Sequence, residues 1–316
     1  MTPAVSDSMG TIMPPTLEVT RRDHMSQVTV ERVTHDRWDD AIAVDNGTIE
    51  LLAPTTIGPR ITEFGFVDGP NEFHLFEEVR DEWPLLGGHR LWHAPEDRER
   101  TYTPDLEPVA ADLLDDGVRL EKSPGEDNVA KAITVRMAET GASVEVTHEL
   151  TNAGQWPVEF APWALTVMKG NGTAVIPFTP QADPESLLPD RSIQLWPYAN
   201  LADDRLSFGE EHLYLEQDPD GAGETKIGTA AGDGWLAYLN DGHAFRKDFA
   251  HDPDATYPDL GSDTEVYTDD YVTELESLAP IQTVEPGETV THVETWTLED
   301  GVEDLDATAA IEPDSV

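Results

Sequence analysis

Asn-Gly and Asp-Gly dipeptides divide this chain into short segments. They begin at residues 46, 68, 116, 171, 220, 233, 241 and 300. These dipeptides most readily adopt the positive φ angles of tight β-hairpin turns. Between them lie short β-rich segments, such as VTVERV from Val28, SVEVTHEL from Ser143 and VTHVETWTL from Val290. The pattern predicts many antiparallel strands.

The spacing of apolar residues supports strands over helices. In SVEVTHEL, Val144, Val146 and His148 point to one face, and the acidic and hydroxyl side chains point to the other, as in a half-buried strand. The 24 Pro residues are spread along the chain and argue against long helices. We therefore predict an all-β fold, a large antiparallel β-sandwich.

No internal linker is evident, so the sequence predicts a single domain over residues 28–299. Residues 1–27 lack periodicity and are predicted to be a disordered N-terminal tail, and Met25 is an alternative start to Met1. Residues 300–316 are acidic and aperiodic and are predicted to be a frayed C-terminal tail.

The charge of the chain restricts its partners. It carries 64 Asp and Glu against 19 Lys and Arg, a formal net charge of −45, and only five of the basic residues are Lys. Such a surface repels phosphate backbones and anionic lipids, so we expect no nucleic-acid or membrane partner. The acids are scattered among apolar residues, which is typical of cytoplasmic proteins adapted to high salt. An acidic interaction protein is the alternative, although its acids would usually be clustered.

Several site classes are missing from the sequence. The chain has no Cys, which excludes disulfides and thiolate chemistry. It contains no apolar run long enough for a transmembrane helix and no apolar segment of a secretory signal, so a cytoplasmic location is predicted. It also lacks the G-x-S-x-G, P-loop and G-x-G-x-x-G motifs, and we predict no cofactor.

The segment LLGGHRLWHAPEDR, residues 85–98, is the first candidate site. Trp92 can stack on a ring-shaped polar ligand, Arg90 can bind it, and the imidazoles of His89 and His93 can exchange protons with it. The alternatives are a structural loop and a metal site built from His89, His93 and Glu96. Gly88 and Pro95 make the helix needed for four-residue His spacing unfavourable.

Two later segments supply further candidates. In YVTELES, from Tyr271, strand alternation places Glu274 and Glu276 on one face, where one of the two carboxyls can acquire a raised pKa and act as a general base. The segment from Gly242 to Tyr271 contains Lys247 and Asp259. In a chain that is poor in Lys, a retained Lys247 is expected to pair with a specific carboxylate or ligand oxygen, and its occurrence there by chance is the alternative.

Taken in order, these segments resemble the galactose mutarotase-like (aldose 1-epimerase) superfamily, in a branch known mainly as a domain of unknown function. The resemblance extends from about Asp45 to Leu298 and rests on DNGTIELLAPTTIGPRITEFGF, GGHRLWHAPE and ELESLAPIQTVEPGETVTHVETW. The last is the most specific, because Leu-Glu at a strand end followed by Pro-Gly-Glu is how the family presents its catalytic base. The resemblance implies a β-supersandwich that binds a sugar in a concave groove.

The resemblance also implies residue roles. Glu276 matches the base that removes the anomeric proton, and His89 or His93 matches the first family histidine, which is expected to act as the acid. The second family histidine is absent, since its place reads Ala161-Pro162-Trp163-Ala164. Trp163 is suited to stacking on a pyranose.

The predicted function is therefore carbohydrate binding, with interconversion of sugar anomers by Glu/His acid-base catalysis. The alternatives are a non-catalytic sugar-binding protein and a metal-dependent enzyme that uses His89, His93 and Glu96. The expected partner is a small, neutral carbohydrate, because only Arg246 and Lys247 form an adjacent basic pair inside the fold. The predicted catalytic residues are thus Glu276, His89 and His93, and the predicted substrate-binding residues are Arg90, Trp92, Trp163, Lys247, Asp259 and Glu274.

Overall fold

The structure is a computed structural model that describes residues 28–76 and 86–311, except 104, 184, 222 and 231. The first strands are β1 (Thr29–Val33), β2 (Ala41–Asp45), β3 (Ile49–Pro54), β4 (Arg60–Ile61), β5 (Glu63–Phe66), β6 (His89–Ala94), β7 (Ala110–Leu113), β8 (Gly117–Lys122), β9 (Val129–Met137), β10 (Ser143–Asn152) and β11 (Val158–Met168). They are followed by β12 (Thr173–Pro177), β13 (Ile193–Leu195), β14 (Leu206–Phe208), β15 (His212–Glu216), β16 (Thr225–Thr229), β17 (Trp235–Asn240), β18 (His243–Phe249), β19 (Thr264–Thr268), β20 (Thr273–Leu278), β21 (Gln282–Val284), β22 (Thr289–Asp300) and the helix α1 (Leu305–Ala309).

The strands form three antiparallel sheets. The largest has ten strands in the order β14-β15-β12-β17-β18-β22-β10-β9-β8-β7, and a second has the order β13-β16-β19-β20-β11-β6-β4, with β21 paired to β11. A four-stranded sheet has the order β1-β2-β3-β5. The predicted all-β antiparallel sandwich is confirmed. Within the described residues, no helix has the length and apolarity needed to span a bilayer.

The two large sheets pack face to face around a core rich in aromatic side chains. The ring centroids of His89 on β6 and Trp296 on β22 lie 4.7 Å apart across the two sheets, and that of Phe64, from the four-stranded sheet, lies 5.6 Å from Trp296. Strand alternation places one set of side chains from β6, β11 and β20 in this core and the other set on the opposite face of the sheet. That opposite face holds the candidate site.

The turn at Asp241-Gly242 shows how the dipeptide pattern acts. Asn240 pairs with His243 at the ends of β17 and β18, so the loop has two residues. Asp241 has φ 51° and Gly242 has φ 82°. Two consecutive positive φ angles define the hairpin turn whose twist matches that of the flanking strands.

The predicted tails have different outcomes. The N-terminal tail, residues 1–27, and residues 312–316 lie outside the described residues. Residues 300–311 do not form the predicted frayed tail, because they fold onto the ten-stranded sheet. Val302 and Ile311 are buried against Ala244, and Arg246 donates a hydrogen bond from Nη1 to the Ala309 carbonyl at 3.0 Å.

Candidate functional site

A groove with a volume of about 500 Å³ lies on the face of the β13–β4 sheet that points away from the ten-stranded sheet. Its side chains come from β6, β11, β16, β19 and β20 and from the loops beside them. They include three Trp, three Tyr, five carboxylates and three cations: Trp92, Trp163, Trp196, Tyr102, Tyr198, Tyr267, Glu96, Glu224, Asp269, Glu274, Glu276, Arg90, Arg98 and Lys226. A cavity of this size that combines aromatic surfaces with a few polar groups is typical of a small-molecule site.

Glu276 lies at the floor of this groove, and its carboxylate is held by two donors. The Trp163 indole donates a hydrogen bond from Nε1 to Oε2 at 2.7 Å, and Lys226 donates from Nζ to the same oxygen at 2.8 Å. The register explains the arrangement, since Glu276 on β20 pairs with Leu165 on β11 and with Glu265 on β19. Burial raises the pKa of the Glu276 carboxyl, although Lys226 opposes the shift. A buried carboxylate with a raised pKa has the properties of a general base.

Lys226 is shared between two buried carboxylates. Its Nζ lies 2.7 Å from Oε2 of Glu265 and 2.8 Å from Oε2 of Glu276. Burial alone would lower the pKa of the Lys226 ammonium, but the two carboxylates raise it overall. Burial also raises the pKa of the Glu265 carboxyl well above its usual value. The ammonium lies 4.8 Å from the ring centroid of Trp163 and 4.6 Å from that of Trp196.

The other end of the groove contains an ion pair beside an indole. Arg90 donates from Nη2 to Oε1 and Oε2 of Glu274 at 3.2 Å and 3.1 Å. The Arg90 guanidinium stacks over the Trp92 ring at 4.4 Å, and Trp92 meets Trp163 edge to face at 5.7 Å. Glu96 accepts a hydrogen bond from the Tyr102 hydroxyl. These contacts fix the aromatic surfaces that a ring-shaped ligand would touch.

The structure therefore brings together five of the residues that the sequence predicted for a ligand site. Glu276, Glu274, Arg90, Trp92 and Trp163 all line the groove. Their shared face follows from strand alternation and from the antiparallel pairing of β6 with β11 and of β11 with β20.

The two predicted histidines do not reach Glu276. On β6, Arg90 and Trp92 face the groove, so His89 and His93 face the ten-stranded sheet. The His89 ring makes a 2.7 Å contact from Nε2 to Nε2 of His148 on β10, and the His93 ring lies 6.1 Å from that of Phe160. No histidine among the described residues lines the groove. This placement corrects the expectation that His89 or His93 is the groove acid.

Lys247 and Asp259 are also absent from the groove. Lys247 lies between the sheets, where its Nζ is 2.8 Å from Oε1 of Glu294 and donates to the Leu275 carbonyl at 2.9 Å. Strand β18, which carries Lys247, belongs to the ten-stranded sheet. Asp259 lies in the loop between β18 and β19, and its carbonyl accepts a hydrogen bond from the Ser262 hydroxyl. Lys247 therefore has the carboxylate partner that was expected, but that partner, Glu294, is buried between the sheets and does not face the groove.

The partners of Lys247 and His89 form a fully buried polar cluster between the sheets. His148 donates from Nδ1 to the His292 carbonyl, which leaves Nε2 of a neutral His148 to accept from His89. Trp296 donates to Oε2 of Glu294 at 2.8 Å. Burial alone would raise the pKa of the Glu294 carboxyl, but Lys247 and the nearby imidazoles hold it far below its usual range. This cluster links the sheets and has no access to the groove.

The residues of the proposed metal site do not converge. Glu96 lines the groove, whereas His89 and His93 face the opposite side of the sheet. A different set, His89, His148 and Glu294, places its ligand atoms within 4.8 Å of one another. Glu294 is already paired with the positively charged Lys247, and the imidazoles of His89 and His148 are hydrogen-bonded to each other. This set is therefore satisfied by its own hydrogen bonds and its own cation.

Sequence reasoning missed most of the residues that approach Glu276 from β16, from β19 and from the segment that follows β13. Lys226, Trp196 and Tyr198 were not among the candidates, and Glu265 was only one residue of the candidate segment from Gly242 to Tyr271. The signal that was available is weak: Lys226 is one of the few Lys residues, and it lies in the short segment TKIGT.

Comparisons with known proteins show the fold. No protein-family model matches the chain, and no curated protein matches it. A galactose mutarotase-like protein from Lactobacillus casei ATCC 334 is 9% identical, with a TM-score of 0.56, and the match covers 82% of this chain and 100% of that one. A candidate mutarotase from Salmonella typhimurium is 10% identical, with a TM-score of 0.55 and coverage of 88% and 95%. A candidate aldose 1-epimerase from Klebsiella pneumoniae is 12% identical, with a TM-score of 0.54 and coverage of 86% and 81%.

These likenesses concern architecture, since the identities are low. They agree with the large antiparallel sheets described above. The chain has the galactose mutarotase-like fold.

Proposed function

We propose that the groove binds a neutral carbohydrate and that Glu276 is the general base for interconversion of its anomers. The observation that carries the proposal is the setting of Glu276: its carboxylate is buried at the groove floor and oriented by Trp163 and Lys226. The structural neighbours described as a mutarotase-like protein and an aldose 1-epimerase support a sugar as ligand.

The lining of the groove favours a neutral sugar over a phosphorylated one. Five carboxylates and three cations line it, so its formal charge is negative. Arg90 is already paired with Glu274 and Lys226 is already paired with Glu276, which leaves Arg98 as the third cation. A phosphate group would usually require several cations that remain available to it. The Trp faces, in contrast, match the apolar face of a pyranose.

The test follows the relaxation of a pure anomer by polarimetry in molar KCl, with a set of neutral aldohexoses. Removal of one general base usually lowers a rate by about 10²- to 10⁴-fold, and we expect a loss of that size for Glu276→Gln. Glu216→Gln is the matched control, because Glu216 is an exposed carboxylate on β15, outside the groove. Equal rates for the wild type and Glu276→Gln with every sugar would refute the catalytic role.

The second candidate function is non-catalytic sugar binding. It is favoured by the observation that no histidine of the described residues lines the groove, so the family's acid has no direct equivalent there. It predicts that sugars change the fluorescence of the groove Trp residues while the anomers exchange at the uncatalysed rate. Absence of any fluorescence response to the same sugars would count against binding altogether.

A further inference from the structure

Lys226 has a hydrogen-bonding capacity that the protein does not fill. An ammonium has three N–H donors; Lys226 donates one to Oε2 of Glu276 at 2.8 Å, and a second faces Glu265, whose Oε2 lies 2.7 Å from Nζ in an ion pair. The third has no partner among the described residues, although Lys226 is 5% exposed and lines the groove. A buried donor without a partner is unfavourable unless a ligand or water completes it.

The aromatic rings limit what can complete this donor. Trp163 and Trp196 cover the ammonium at 4.8 Å and 4.6 Å, and each offers only a ring face. Trp163 also donates its indole N–H to Glu276. A ligand oxygen that meets the third N–H of Lys226 would therefore lie close to the carboxylate of Glu276.

We propose, on the basis of the proposed function, that Lys226 is the catalytic acid that protonates the ring oxygen of the sugar. Glu276 removes the proton from the anomeric hydroxyl, and a C=O double bond forms at the anomeric carbon. The bond from that carbon to the ring oxygen breaks, and its electron pair passes to the ring oxygen, which takes a proton from Lys226. Rotation of the aldehyde and the reverse steps give the other anomer.

The ion pair couples the two proton transfers. While Glu276 is a carboxylate, its negative charge stabilises the ammonium of Lys226. When Glu276 becomes a neutral acid, Lys226 keeps only Glu265 as a charged partner, and release of its proton becomes easier. Proton uptake by the base thereby activates the acid. During ring closure the neutral amine of Lys226 takes the proton of the attacking hydroxyl and the carboxylic acid of Glu276 protonates the carbonyl oxygen, which restores the starting charges.

Lys226→Arg tests the acid, because a guanidinium keeps the charge but does not release its proton. We expect a fall in exchange rate of roughly 10²- to 10⁴-fold, with the sugar response of Trp fluorescence retained. Lys122→Arg is the matched control, since Lys122 is buried and ion-paired to Asp105 outside the groove. A wild-type rate in Lys226→Arg together with a loss in Glu276→Gln would overturn the role of Lys226 and leave the proposed function intact.

Chemical rescue separates proton donation from a structural role. In Lys226→Ala, methylammonium should restore part of the exchange rate, whereas tetramethylammonium, which carries the same charge without an N–H, should not. Equal rescue by both ions, or no rescue by methylammonium, would contradict the proposal. A wild type that exchanges no anomers would refute both this inference and the proposed function.

Discussion

Replacing Lys247 by Met removes the cation from the centre of the polar cluster between the sheets. The Lys247 and Glu294 side chains are both 0% exposed, and Nζ lies 2.8 Å from Oε1 of the carboxylate. Met fills a similar volume, so the main change is an uncompensated charge on Glu294. Loss of one partner of a buried ion pair usually costs about 3–5 kcal/mol, and we expect the free energy of unfolding to fall by that amount.

Urea unfolding in molar KCl measures this loss. Arg136→Met is the matched control, because Arg136 pairs with Asp116 at 2.6 Å but both side chains are largely exposed, at 45% and 37%. An exposed pair contributes about 0–1 kcal/mol, so the control should change stability little.

A double-mutant cycle isolates the pair. We expect Lys247→Met combined with Glu294→Gln to lose less stability than the sum of the two single variants, with a coupling of about 0.5–3 kcal/mol. The reasoning would be refuted by a loss below about 1 kcal/mol in Lys247→Met, or by strictly additive losses in the double variant. Because Lys247 lies outside the groove, folded Lys247→Met should also bind sugars as the wild type does.

Two further predictions concern pH and salt. Burial lowers the pKa of four imidazoles, to about 3 for His292 and about 4 for His93. In the unfolded state a histidine has a pKa of about 6.5, so below that pH the unfolded chain binds more protons than the folded one. Stability should fall as the pH drops from that value, by up to about 1.4 kcal/mol per pH unit for each of His89, His93, His148 and His292; a urea midpoint that is constant between about pH 7 and about pH 5 would contradict this. The charge of −45 should make the melting temperature rise with KCl, since molar salt shortens the Debye length to about 3 Å; an unchanged melting temperature would contradict it.

The fold was predictable because its turns are local. Asp241 and Gly242 occupy a two-residue loop with positive φ at both positions, and nothing distant in the sequence is needed to specify it. Strand alternation is local as well, and the burial of Val144, Val146 and His148 on β10 follows the predicted period of two. The order of the strands within the sheets depends on long-range pairing, and the dipeptide pattern carries no information about it.

The candidate site was predictable only where the period of two was respected. Glu274 and Glu276 are two residues apart on β20, and Arg90 and Trp92 are two apart on β6, so each pair shares the groove face. His89 lies an odd number of positions from Arg90 and Trp92 on β6, so its side chain points to the opposite face of the sheet. A groove lined by Arg90 and Trp92 therefore cannot contain His89. The resemblance supplied a histidine for the groove, but the strand geometry of this chain places that side chain in the core.

Lys226 escaped prediction because its partners are distant in the sequence. Glu276 is fifty positions away and meets Lys226 only through the pairing of β16 with β19 and of β19 with β20. The scarcity of Lys was nevertheless informative. Each Lys of the chain forms an ion pair with a buried carboxylate: Lys122 and Lys131 with Asp105, Lys169 with Glu72, Lys226 with Glu265 and Glu276, and Lys247 with Glu294.

A composition that avoids Lys on its surface retains it where a desolvated carboxylate needs a cation. Four of these ammonium groups serve the core or its edge, and Lys226 alone lines the groove among the described residues. Lys226 and Lys247 are both buried and paired with carboxylates, but they differ in how many of their N–H groups the protein binds. The three N–H groups of Lys247 all contact the protein: they face Glu294 and the carbonyl oxygens of Ala164 and Leu275. Lys226 keeps one donor for a ligand, and this difference between two otherwise similar buried ion pairs separates a structural lysine from a catalytic one.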